Sequence, residues 1–150
     1  MKCVITGRIS ATLVLFSVLG FGPTAFGHGS DKPGPNKGFL QMAGAMHTEV
    51  VPLTKNSFKV FLLDISFANP VIERSSVTAK IIRPGKSGSD MSGSYVSEAN
   101  CKPVNQAFVC TLPKGMELTK GVLQLVSSRA DGPGLTTQYE LPLKLSGMGH

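Results

Sequence analysis

Tryptophan is absent from this chain of 150 residues, tyrosine occurs only twice and histidine only three times. Without tryptophan, and without a dense run of lysine and arginine, the chain lacks the stacking platforms and basic stripe of a nucleic-acid surface. The excess of six cations over anions is diffuse, and two of the cations, Lys2 and Arg8, sit at the extreme N-terminus. Charged residues are scarce at 16% while hydrophobic ones reach 41%, which excludes a charge-rich disordered chain. No segment sustains a long helical period, so a coiled coil is excluded as well. The motifs Gly-x-Ser-x-Gly, Gly-x-x-x-x-Gly-Lys-Ser and His-Glu-x-x-His are missing, and conventional hydrolytic or phosphate chemistry has no residues to rest on. The chain is not expected to be an enzyme of these kinds.

No apolar run approaches the roughly 20 residues that span a bilayer. The longest, residues 11–21, follows Lys2 and Arg8 and is ended by Gly22-Pro23 and the small-residue stretch Thr24-Ala25-Phe26-Gly27. That order predicts a secretory signal peptide over residues 1–27, removed after Ala25-x-Gly27, with no retained membrane anchor. The mature chain would then begin at His28. Of the three cysteines, Cys3 leaves with the leader, and Cys101 and Cys110 remain as an even pair in an oxidising compartment, periplasmic or secreted. Their spacing fits neither a Cys-x-x-Cys redox pair nor a zinc ribbon, so a disulfide that clips a hairpin or the approach to a strand is expected.

Glycine and proline are plentiful, at 17 and 10 residues. Residues 28–38 carry too many of them for a helix or a central strand and read as an extended arm or loop. From residue 39 to 150 short β-like runs alternate with turn signals, at 39–42, 46–53, 58–67, 77–82, 94–98, 108–112, 122–127 and 137–145. Phe58, Val60 and Leu62 alternate with Phe61, Leu63 and Ile65, which makes both faces apolar and predicts a central strand. Tyr139, Leu141, Leu143 and Leu145 share one face opposite Gln138, Glu140, Pro142 and Lys144, and Pro142 places that strand at an edge. About eight such strands predict an all-β domain, an immunoglobulin-like or Greek-key β-sandwich.

A sandwich fixes no function, so the argument passes to residues with chemistry. His28 and His150 would be chain ends in the mature protein, and His47 lies in the first strong strand. An N-terminal histidine offers an amine and an imidazole to one metal, and a second imidazole completes a histidine brace, a nitrogen set that suits copper. The thioethers of Met42, Met46, Met91, Met116 and Met148 favour Cu(I) wherever they approach the ion. On a strand, however, His47 and Glu49 share one face and Met46 and Thr48 the other.

His28-Gly29, then Pro33-Gly34-Pro35-Asn36-Lys37-Gly38, then Gly44-Ala45-Met46-His47-Thr48-Glu49-Val50-Val51 resemble the His-Gly … Gly-Pro-x-Gly-Gly … His-x-Glu-Leu/Val pattern. That pattern occurs in small periplasmic proteins and efflux-adaptor segments associated with copper and other heavy metals; Lys37 stands at the first glycine of its Gly-Gly pair. The rest of the chain is similar in general form to the copper-resistance β-sandwich proteins, which also begin with histidine after processing. The resemblance implies metal handling in the periplasm, with His28 and His47 at the matching positions.

These readings together predict a periplasmic copper-binding protein that buffers the metal or passes it to an efflux or delivery protein. The metal set is His28, His47, Glu49, Met46, Met148 and His150, with Asp31 or Asp64 as further carboxylates. One rival is a non-metal structural or accessory interaction module of an envelope assembly. The other is a histidine-brace copper oxygenase, poorly served by a chain without tryptophan.

Overall fold

The computed structural model describes residues 28–29, 32–83 and 95–144, with His28, Gly29 and Tyr95 described as backbone. The expected leader at 1–27, Asp31, Met91, and the tail with Met148 and His150 lie outside the described residues. Among the described residues nine strands are formed: β1 (His28–Gly29), β2 (Phe39–Ala43), β3 (Met46–Thr54), β4 (Ser57–Leu63), β5 (Ser76–Arg83), β6 (Tyr95–Val104), β7 (Ala107–Thr111), β8 (Gly121–Ser128) and β9 (Leu135–Leu141). Every pairing is antiparallel, in the order β1-β2-β3-β4-β7-β6-β5-β8-β9. The protein is all-β, and the order β4-β7-β6-β5 is a Greek key.

The expected separation into two sheets gives way to a nearly closed, barrel-like sheet. The reason is β6. Its first half, Tyr95–Ala99, pairs with β5, and its second half pairs with β7 from Asn100 to Val104. One strand thus turns the corner between the two halves. Lys102, Pro103 and Val104 belong to β6, and the hairpin turns at Asn105-Gln106. Cys101 faces Cys110 across that hairpin and is bonded to it, as the cysteine pair predicts.

Inside the barrel lie Val50, Phe58, Val60, Leu62, Ile81, Leu123 and Leu125, each at 1% exposure or less. Burial of side chains of this size stabilises by about 1.5–3 kcal/mol each. β4 is central, as its two apolar faces predict, but it ends at Leu63, and Ile65 is exposed in the following loop. β9 is the last strand in the order, with Pro142 just beyond its end. A buried hydroxyl chain ties β9 to β3. The Tyr139 hydroxyl donates to the Thr48 carbonyl at 2.8 Å and lies 2.7 Å from Thr48 Oγ1, which is 3.0 Å from Thr137 Oγ1. Each hydroxyl has one hydrogen, so Thr137 donates to Thr48 Oγ1 and Thr48 Oγ1 to Tyr139, leaving no member unsatisfied. Burial pushes the Tyr139 phenol well above its ordinary pKa.

Candidate metal centre

Strands β2 and β3 form a hairpin through Gly44-Ala45, with Ala43 opposite Met46. Gly44 takes a φ of 66°, the positive value that a two-residue turn with glycine first requires. This turn fixes the register: Met42 lies opposite His47, Gln41 opposite Thr48, and Leu40 opposite Glu49. β1 then adds His28 opposite Met42, and β4 places Leu63 opposite His47 on the other side. Directly opposed residues share a face of the sheet. Met42, His47 and Leu63 therefore form one row on the face turned away from the core, and the backbone of His28 lies at the end of that row, in register with Met42.

His47 is buried at 6% exposure although it points outward. The loop after β4 covers it: the Phe67 ring stacks on the imidazole with centroids 4.3 Å apart and an interplanar angle of 16°. Phe67 holds a φ of 62°, in the left-handed region that bulky residues avoid. His47 Nε2 lies 3.3 Å from the Ile65 carbonyl oxygen, which accepts and cannot donate, so Nε2 carries the proton. In the neutral ring the lone pair then belongs to Nδ1, which is buried and has no hydrogen-bond partner among the described residues. A ring oriented by a backbone carbonyl on one nitrogen, with the other nitrogen bare, is the arrangement of a histidine metal ligand.

The two nearby carboxylates are occupied by the protein itself. Glu49, fully buried, accepts the Asn36 N–H at 2.9 and 3.2 Å on its two oxygens, the Asn36 side-chain amide at 2.9 Å and the Gly38 N–H at 2.7 Å. The segment expected as an extended arm or loop is thus wrapped over β3. Gly34 closes the wrap with Lys37 N–H donating to its carbonyl at 2.9 Å, and a Cβ on Gly34 would fall 2.5 Å from Glu49 Cδ. Lys37 has a φ of 63°, a left-handed conformation that glycine adopts without strain. Asp64 accepts from Ser66 N–H at 2.9 Å, Ser66 hydroxyl at 2.6 Å, Ala68 N–H at 3.0 Å and Asn69 amide at 2.7 Å. These bonds, the Ser66 hydroxyl first, then Ala68 and Asn69, hold the Asp64 carboxyl well below the usual carboxylate range. Its work is to shape the loop that carries Phe67.

Among the residues expected in a metal set, the structure brings His28 and His47 to one row. Glu49 lies on the same face as His47, with its oxygens engaged. Met46 is buried at 3% exposure on the opposite, inward face, and it is Met42, 38% exposed, that stands between the histidines. Met116 belongs to the core. The signal that identifies Met42 was available in Gly44-Ala45, since a two-residue hairpin there forces position 42 opposite 47. Among the described residues no group of three or more His, Cys, Asp or Glu side chains gathers at one point; the middle member of this row is a thioether. No family model, curated protein or solved structure matches the chain.

Proposed function

We propose that this is a secreted, periplasmic copper-binding protein that buffers copper or hands it to export machinery. The observation that carries the reading is His47: an imidazole held by Ile65 and Phe67, with Nδ1 buried and unpartnered, in a row whose far end is His28. A buried nitrogen lone pair without a donor costs about 1–3 kcal/mol, and a metal ion removes that cost. Strands lie about 4.8 Å apart, so two histidines two strands apart have Cα atoms about 10 Å from each other, within the joint reach of two imidazoles to one ion. With cleavage after Gly27, the His28 amine joins its ring as a further donor. The Cys101–Cys110 disulfide accords with an oxidising compartment.

The test is a copper titration of protein recovered from the periplasm of an expression host, its N-terminus read by intact mass. One ion per chain is expected, with affinity falling by about tenfold or more in both His28→Ala and His47→Ala. The absence of binding in all forms would leave the interaction module as the better reading.

A further inference from the structure

We infer that Met42 is a metal ligand, and that the row His28, Met42, His47 is built to select cuprous copper over Cu(II) and zinc. The inference rests on the copper-binding reading and names the form of the ion.

Two independent observations support it. The first is register: β1 and β3 flank β2, and the pairs His28 with Met42 and Met42 with His47 place a thioether between two imidazole-bearing positions on one face. A methionine inserted in such a row is well sited to contribute to anything the two histidines hold. Its exposure of 38% contrasts with the burial of Leu40 two residues before it on the same face, so Met42 is not needed as core filler.

The second is the withdrawal of oxygen donors. Zinc and Cu(II) are well served by carboxylates, whereas thioethers favour Cu(I). Glu49 and Asp64, the carboxylates nearest in sequence to His47 and Phe67, each accept four hydrogen bonds from protein groups. Freeing either for a metal would unmake the wrap at Asn36 or the loop that holds Phe67. What remains in the row is the Met42 sulfur beside nitrogen donors, the two imidazoles and the amine of a processed His28, and the Phe67 ring over His47 keeps that side of the row apolar. The set binds the ion without any change in its oxidation state; cuprous copper is the form taken up and the form released.

The experiment compares the periplasmic protein, Met42→Leu and His47→Ala for Cu(I), by competition with a chromophoric Cu(I) chelator under anaerobic reduction, and for Cu(II) and zinc by direct titration. Leucine keeps the size and apolar character of Met42 and removes only the sulfur, so the fold is retained and circular dichroism checks it. Expected is a loss of Cu(I) affinity of about tenfold or more in Met42→Leu, with Cu(II) and zinc affinities unchanged. A sulfur shell in the copper X-ray absorption spectrum of the Cu(I) protein should vanish in the same variant. Unchanged Cu(I) affinity in Met42→Leu, with loss in His47→Ala, would overturn the role of Met42 and leave the copper-binding reading standing. No copper binding by any of the three would overturn both.

Discussion

The Gly38 N–H donates to the Glu49 carboxylate across 2.7 Å, and this bond joins the N-terminal segment to the strand that carries His47. Replacing Glu49 by Gln puts an amide where three donor groups converge, so at least one donor loses its acceptor inside the wrap. A loss of about 1–3 kcal/mol is expected, read as a lower urea midpoint with an unchanged slope. Gly34→Ala should act in the same direction, because its Cβ would meet the carboxylate group. Lys37→Gly should stabilise modestly by relieving the positive φ. An unaltered midpoint in both Glu49→Gln and Gly34→Ala would show that the wrap contributes nothing to the fold.

The hydroxyl chain from Thr137 to Tyr139 closes the barrel between β9 and β3. Tyr139→Phe keeps the buried ring and removes the oxygen that accepts from Thr48. It should destabilise by about 1–3 kcal/mol, and hydrogen exchange should quicken in β9 more than in β4. Equal protection in the two strands would contradict this placement of the closure.

Much of this fold is written in local pattern. The double apolar alternation of residues 58–63 makes β4 a central strand, and the even pair Cys101 and Cys110 gives the bridge. What local pattern does not carry is which residues meet across distance. Glu49 reads as a donor to a metal because it shares a face with His47, yet its partners Asn36 and Gly38 come from a segment with no periodicity at all. The change of partner along β6, from β5 at Ala99 to β7 at Asn100, is likewise set by closure of the whole sheet. Met42 was within reach, since register follows from turn length, but only once Gly44-Ala45 is taken as the whole turn.

Removal of the cross-strand bridge should weaken the fold and spare the proposed metal site, whose residues lie on β1, β2 and β3. Replacing Cys101 and Cys110 by Ser opens a loop of nine residues' separation and should cost about 2–3 kcal/mol. Copper affinity of the folded variant should match that of the parent; loss of affinity without loss of fold would implicate the sulfurs in metal binding.

Asp64 gives a signed pH dependence. Its folded-state pKa lies below the unfolded value of about 3.9, so its contribution is present above that value and is lost as pH falls toward the folded pKa. Urea midpoints of the parent and Asp64→Asn, measured from about pH 5 down to 2, should therefore converge with acidification. A gap that stays constant or widens would mean that the carboxylate does not hold the Phe67 loop.

In the proposed site His47 Nδ1 binds the metal while Nε2–H stays on the Ile65 carbonyl. Because Cu(I) is diamagnetic, a long-range proton–nitrogen NMR spectrum of the histidine rings, recorded during anaerobic Cu(I) addition to the protein with His28 at its N-terminus, reads each nitrogen separately. The account predicts that the His47 Nδ1 resonance shifts until one equivalent is reached, with Nε2 protonated throughout. An Nδ1 resonance that stays in place while the protein takes up copper would contradict it.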